Sequence, residues 1–429
     1  MTEFVLPGHY KLISATVITH AGTEIPFTGL IPVFSIEQSL DVDSIRGNAT
    51  VIDNIGYLES IPLRGEETII FEVEDALSKR ITYEMSIYKI SDIEIKKTND
   101  GLTYKIHFVS RSSFLAGFRR IIEPYNDKIS NIVEQVFTKY YPAGSKELLL
   151  EETVGLFRCV IPNYTPMQSM NFLANRSYST NSPSCSFRFF ETNDNYFFVS
   201  DEYLIKRFLE NKEAIKEFTY SDAIDKSGAD FLAQMRNLIE IKNSDRINTI
   251  MDLTSGAYRS NVIEIDINKR QVTLPGKSNK HEYNYQEAKT RYMSSSGRGE
   301  GEDVHTPEFA NEFFTIENEK RYIVIRDYDD SGTLQLRGDQ FIPEIATNRL
   351  AYRQHLNTTT IFAKAHGRLD LNVGDVINLK VSNFSIGDKS EYNKQLSGYY
   401  LINNLIHTFT RDIHETSLKI VKYDWDTAE

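Results

Sequence analysis

One arrangement of strands and turns is written into this chain twice, and the repetition limits what the chain can fold into. The first copy reads ATVIDNIGYLESIPLRGEETIIFEVED (Ala49 to Asp75), then TYEMSIYKISDIEIKKTNDGLTYKIHFVS (Thr82 to Ser110). The second reads TIFAKAHGRLDLNVGDVINLKVSN (Thr360 to Asn383), then SGYYLINNLIHTFTRDIHETSLKIVK (Ser397 to Lys422). Both run strand, Gly-acidic turn, strand, loop, long strand, polar turn, strand. The structural turns are expected at Gly65 and Glu66, at Gly101 in the Asp-Gly hairpin signal TNDG, and at Gly374 and Asp375. The expected fold class is α+β, mainly β: two similar small antiparallel β-barrels flanking an inserted α+β region. The apolar alternation of the two copies is one residue out of phase when counted from Gly65 and Gly374. A one-residue slip exchanges the faces of a strand. The phase difference therefore requires either a bulge or two different turns.

At 429 residues the chain exceeds one ordinary domain. The reading divides it into a first barrel (1–111), an inserted α+β domain (112–200), an irregular remainder of the insert (201–340) with a mobile loop near 276–306, and a second barrel (341–429). Phe and Tyr dominate the aromatic residues, which favours strands and contact surfaces. The net charge of -12 and the lack of any basic stripe longer than Lys96-Lys97 or Arg119-Arg120 argue against binding of nucleic acid through its phosphates. Two cysteines, Cys159 and Cys185, are no disulfide framework. The first residues lack a leader pattern and no apolar run approaches the roughly 20 residues of a membrane helix, so no stable membrane insertion and folding in a reducing cytoplasm are expected.

Within the first copy, Ile69, Phe71 and Val73 share one strand face, as do Ile81, Tyr83, Met85 and Ile87, and Leu102, Tyr104, Ile106 and Phe108. In the insert, a helix is expected from Asp127 to about Tyr140, capped by Asn126. A second begins at Thr165-Pro166, with a hydroxyl cap and proline in the first turn. SFRFFETNDNYFFVS (Ser186 to Ser200) reads as a hairpin turned at Asn193 to Asn195. Charged helical stretches are expected around Leu209 to Phe218 and Phe231 to Leu238, a strand at Val262 to Ile267, and a helix over Pro343 to Leu356.

The sequence carries no G-x-S-x-G, H-E-x-x-H, Walker A or C-x-x-C motif, so no catalytic, cofactor-binding or metal residues are assigned and no cofactor is expected. GRGEG (Gly297 to Gly301) lacks the strand and helix of a phosphate loop. His407 and His414 flank one turn and can approach each other across a hairpin, where packing is expected rather than a metal, since no third ligand is evident. Asp327, Asp329 and Asp330 lack the closing glutamate of an EF-hand. The aromatic hairpin is expected to pack on its neighbours, with a ligand platform as the alternative.

Taken in order, IDN…G…E…IPLRGEE (Ile52 to Glu67), the short helices with FFETNDNYFFVS, and LNVGDVINL…GYYLINNLIH (Leu371 to His407) resemble the central hub proteins of contractile-tail phage baseplates. Their fold is shared by the base of type VI secretion spikes. The resemblance spans most of the chain and is weakest over about 201–340. It implies a non-enzymatic virion protein of the tail baseplate, assembled in the host bacterial cytoplasm. It implies a homotrimer whose six barrels continue the sixfold tail tube and receive a trimeric central spike, often fused to a lysozyme. It further implies tail tube or tube-initiation, tape measure and baseplate wedge proteins as partners, and an acidic lumen that passes DNA without specific binding. Such a hub adapts sixfold to threefold symmetry. A cell-wall hydrolase or glycan-binding tail protein, and the spike base of an injection or secretion system, are the alternatives. Because the sequence stops at Glu429 directly after the second barrel, the separate hub is expected.

Overall fold

A computed structural model describes residues 6–60, 63–95, 101–181, 185–221, 230–243, 259–266, 270–273, 282–284, 320–326, 345, 349, 353, 359–383, 392–393 and 396–422. The first curled sheet is built from β1 (Tyr10–Ile18), β2 (Glu24–Pro26), β3 (Val33–Ser39), β4 (Arg46–Asp53), β5 (Thr68–Asp75), β6 (Arg80–Ile95) and β7 (Leu102–Ser110), with the short helix α1 (Tyr57–Ser60) before β5. Its order is β3-β4-β7-β6-β5-β1-β2. Alternate residues point inward, as the sequence pattern requires. Phe34, Ile36, Ala49, Val51, Ile69, Phe71, Tyr83, Ile87, Ile106 and Phe108 are buried in one core. Backbone bonds hold the connection between β2 and β3 against the sheet, from Phe27 N to Ala15 O (2.7 Å) and from Ile52 N to Leu30 O (2.8 Å).

The insert follows with α2 (Arg111–Gly117), β8 (Pro124–Asp127), α3 (Ile129–Tyr140), β9 (Glu147–Leu150), β10 (Phe157–Val160), α4 (Pro166–Ala174), β11 (Phe187–Glu191), β12 (Asn195–Ser200) and α5 (Asp201–Glu210). Thr165 and Gln168 form a reciprocal capping box at the start of α4. Asn126 does not cap α3: it pairs with Arg158 between β8 and β10, and Lys128 stands at the cap position. Strand pairing satisfies the backbone of 124–127, so the helix starts at Ile129 rather than at Asp127.

The second sheet collects β13 (Lys216–Tyr220), β14 (Leu238–Asn243), β19 (Thr360–His366), β20 (Val376–Val381), β21 (Gly398–Thr410) and β22 (Ile413–Lys422), with α6 (Phe231–Arg236) preceding β14. A separate small sheet holds β15 (Arg259–Asp266), β16 (Gln271–Thr273), β17 (Glu282–Asn284) and β18 (Lys320–Arg326). Phe218, expected in a helical stretch, is on β13 and buried, because its segment pairs in parallel with β20. The sequence reading placed β13 and β14 in the 201–340 segment; in the structure both pair within the second sheet. A bridge between Thr219 and Asn237 closes that sheet on itself.

The two sheets repeat. β3-β4-β7-β6-β5 and β14-β19-β22-β21-β20 have the same order, with every neighbouring pair antiparallel. The sixth strand differs: β1 runs antiparallel to β5, whereas β13 runs parallel to β20. Both long strands carry a bulge at the same place, Tyr88 between Ile87 and Lys89, and Asn403 between Ile402 and Asn404. Just before each bulge, Ile87 N bonds Glu67 O and Ile402 N bonds Asp375 O, both at 2.9 Å. The phase difference is therefore a difference between turns. Glu67 and Asp375 are the equivalent residues, and the first turn holds one more residue after its glycine.

Beyond Asn403, β21 leaves β20 and pairs with β3, from Asn404 opposite Ser39 to Thr410 opposite Val33. This ladder fuses the two barrels into one sheet. At its end Phe409 sits in the core of the first barrel, stacked on Phe34 (4.3 Å between centroids) and on His414 (4.2 Å). Phe409→Ala is expected to cost about 3–5 kcal/mol, read as a lower midpoint in chemical denaturation.

His407 Nδ1 and His414 Nε2 meet at 3.0 Å, fully buried. Burial pushes the His407 pKa down to about 4, and burial together with its neighbour His407 pushes His414 well below the usual range. The unfolded chain binds these protons at higher pH than the folded one, so stability is complete above pH ~6.5 and falls as pH drops towards 4. The His407 shift alone corresponds to a loss of about 3 kcal/mol. Thermal melts from pH 7 to 4.5 check this, with His407→Gln expected to flatten the slope.

Candidate functional site

The extended surface with the most distinctive construction is the outward face of the joined sheet. Its register lines up residues across both barrels. One row runs His107, Asn48, Ser35, Thr408, Glu415, His366. The next runs Val109, Arg46, Glu37, Ile406, Ser417, Lys364. Hydroxyls and amides (Asn48, Ser35, Thr408, Ser417) alternate with charged residues, and the carboxylates are paired. Glu37 accepts from Arg46 Nε (2.9 Å) and from Asn404 Nδ2 (3.0 Å) across the barrel joint, while Lys364 Nζ lies 2.8 Å from Glu415. Those contacts hold the Glu37 carboxyl below its usual range against the opposing effect of burial. The face also carries Lys105 and Lys419, so the chain's net negative charge is not concentrated on it. A groove of about 470 Å³ crosses its second half, between Phe362, Lys364, Lys419, Asn404, Glu240 and Lys242. Among the described residues no histidine or cysteine lines this groove, so these offer neither a thiol nucleophile nor an imidazole base.

The turns flank this sheet. Gly65 (φ 85°), Gly101 (φ 91°) and Gly374 (φ 83°) all occupy the left-handed region. Gly101 has a second constraint, because a Cβ there would fall 2.4 Å from Asp53 O. Glu66 points into solvent with its side chain 63% exposed. The residue that organises its turn is Glu67, which the sequence reading passed over. The buried Glu67 carboxylate accepts from the backbone N–H of Arg64 (2.6 Å), Gly65 (2.9 Å) and Glu66 (3.1 Å). Asp375 does the same work in the second barrel, accepting from Asn372 N at 3.1 Å. Burial raises its pKa, opposed by Lys216 at 3.5 Å. The signal available in the sequence was the position of each acid relative to the following strand, not relative to the glycine.

The aromatic hairpin β11–β12 joins the insert to both barrels. Phe187, Phe189, Tyr196 and Phe198 belong to the insert's core. Phe190, Phe197 and Val199 belong to the core of the second barrel. With both faces buried it is no ligand platform. At its tip, Asn193 Oδ1 accepts from Gln38 Nε2 (2.9 Å) and Asn193 N donates to Asn372 Oδ1 (3.3 Å). Gln38 Oε1 takes the N–H of Val373 (3.3 Å), and Asp75 Oδ2 takes that of Leu369 (2.9 Å). Glu191, also at the junction, accepts from Ile45 N, Ser110 Oγ and Lys146 Nζ. These contacts fix the angle between the barrels.

Cys159 and Cys185 form no disulfide. No group of three or more metal-ligating side chains lies among the described residues, and the His407–His414 pair is packed in the interior. The GRGEG motif, Asp327, Asp329 and Asp330, and most of the 276–306 loop lie outside the described residues. No described helix is long and apolar enough to cross a membrane.

No protein-family model and no curated protein matches this sequence. Among solved structures, the chain is similar to a tail protein from Neisseria meningitidis MC58, with 12% identity, a TM-score of 0.54 and 97% of each chain covered. It is also similar to the 43 kDa tail protein of prophage MuSo2 from Shewanella oneidensis, with 11% identity, a TM-score of 0.50, and coverage of 97% of this chain and 100% of that one. At such identity the likeness is one of fold, and it extends over almost the whole chain. The sequence resemblance therefore holds at the level of architecture.

Three substitutions separate turn geometry from turn chemistry. Gly65→Ala is expected to cost about 1 kcal/mol, the left-handed penalty alone, because no atom lies nearer than 3.7 Å to its Cβ. Gly101→Ala is expected to cost at least twice that, through the Asp53 carbonyl. Glu67→Ala should cost about 2 kcal/mol or more by leaving three amides without their carboxylate. Urea midpoints of the three variants check the order.

Proposed function

We propose that this chain is a structural tail protein, the central hub of a phage baseplate. Three copies form a ring that carries six barrel units on the side of the tail tube and threefold symmetry on the side of the spike. The observation that supports this reading is the internal repeat: five strands in one order, one set of directions and one bulge position, present twice and fused edge to edge. A chain that contains the same unit twice, related by a side-by-side step, supplies a pseudo-sixfold circle from three molecules. The near full-length likeness to two tail proteins supports a structural role in a tail.

In this reading the polar outward face of the joined sheet lines the channel. Its paired carboxylates and hydroxyls give DNA little to hold, and low adhesion comes from charge pairing rather than from an acidic wall. The insert stands outside the ring and sets the barrel-to-barrel angle. The partners are a trimeric spike at one end and the tube, the tape measure and the wedge proteins around the other.

The mass of the purified full chain at low ionic strength tests the proposal. A trimer is expected, with no band in peptidoglycan zymography. A strict monomer at every concentration, or a lytic band, would overturn it.

A further inference from the structure

We infer that Arg188, Arg349 and Arg353 form a binding site for a small oxyanion of the phosphate class, at the place where β11 and α5 both begin. The inference stands apart from the hub reading and needs no second copy of the chain.

Ile345, Arg349 and Arg353 stand at four-residue spacing, each in helical conformation, so they share one face. Arg353 ties that face to the start of β11. Its Nε donates to Ser186 Oγ (3.0 Å) and its Nη2 to Phe187 O (3.3 Å). Ser186 Oγ donates in turn to Oδ2 of Asp201 (2.5 Å), the first residue of α5. Arg188 Nε reaches the same buried carboxylate at 2.6 Å, and its Nη1 reaches Asp41. Arg349 lies within electrostatic reach of Arg353, Cys185, Asp201 and Arg188. Three guanidinium groups therefore stand around one serine and one aspartate.

The charges in this cluster do not balance. Three cations face two carboxylates, Asp201 and Asp41, and Arg188 engages both. Arg353 bonds only a neutral hydroxyl and a carbonyl, and Arg349 has no hydrogen bond or ion pair among the described residues. Burial and the neighbouring Arg353 push the Arg349 pKa down to about 10, and burial and Arg188 lower that of Arg353. A guanidinium withdrawn from water needs an anionic partner, since an uncompensated buried charge is strongly destabilising. Asp201 cannot serve: its Oδ1 is engaged by Arg188, and its Oδ2 by Ser186 and Arg188. The surplus is one of donors, on Arg349 and on Nη1 of Arg353. A guanidinium fork matches the oxygen spacing of phosphate and gives up water more readily than an ammonium group. Cys185, buried within electrostatic reach of both arginines, is the competing counter-charge should it ionise.

The test uses the full chain in buffer free of phosphate and sulfate. Inorganic phosphate, added at an ionic strength held constant with chloride, is expected to raise the thermal midpoint saturably, by about 2–4 °C at about tenfold over the half-saturation concentration. Equilibrium dialysis with radiolabelled phosphate is expected to give one site per chain, with sulfate competing. Arg349→Met should weaken phosphate binding by about tenfold or more. In phosphate-free buffer the same variant should melt above the wild type, because it removes a charge that lacks a partner. Cys185→Ser should bind phosphate as the wild type does. If phosphate leaves the wild-type midpoint unmoved and none is retained on dialysis, or if Cys185→Ser creates binding that the wild type lacks, the arginines are neutralised from within the chain and the site is wrong. The inference also falls if Arg349→Met destabilises the phosphate-free protein, or if it binds phosphate as tightly as the wild type.

Discussion

The antiparallel ladder between β21 and β3 is the contact on which the rest of the molecule depends. Without it the two barrels would be joined only through the insert and by single contacts such as Asp75 Oδ2 with Leu369 N and Gln38 Oε1 with Val373 N. With it, seven residue pairs from Asn404–Ser39 to Thr410–Val33 make one sheet of two units. The ladder exists because β21 is long enough to serve two partners and because the bulge at Asn403 redirects it between them. Phe409 then carries the second barrel's strand into the first barrel's core, so the joint is held by packing as well as by backbone bonds. The aromatic hairpin of the insert, buried on both faces, keeps the angle between the units from drifting.

Much of this was legible in the residues. Alternation at Ile69, Phe71 and Val73, and at Ile377, Leu379 and Val381, marks inward faces because a strand buried on one side repeats every two residues. Thr165-Pro166 announces its helix because a hydroxyl cap and proline satisfy a helix start locally. What failed did so for non-local reasons. Asn126 looked like a cap, but pairing with β10 claimed its segment. Phe218 looked helical, but a parallel partner more than a hundred residues away in sequence made it a strand. Glu67 was overlooked beside Glu66 because its role depends on the strand that follows.

The sheet's outward face bears on one expectation of the hub reading. The family resemblance implies an acidic lumen, yet the surface that would line it pairs Glu37 with Arg46 and Glu415 with Lys364. Exposed pairs of this kind add little to stability. Their effect is to leave neither sign in excess along the two rows. A surface that neither attracts nor strongly repels a polyanion is well suited to a conduit.

The central claim is that three molecules present six equivalent units around one axis. The most direct measurement is the rotational symmetry of the assembled ring in electron microscope images taken down that axis. The account predicts six evenly spaced lobes around an open centre at the level of the barrels, reducing to three at the level of the insert. A ring of three lobes throughout, with the two barrels at different radii, would contradict it.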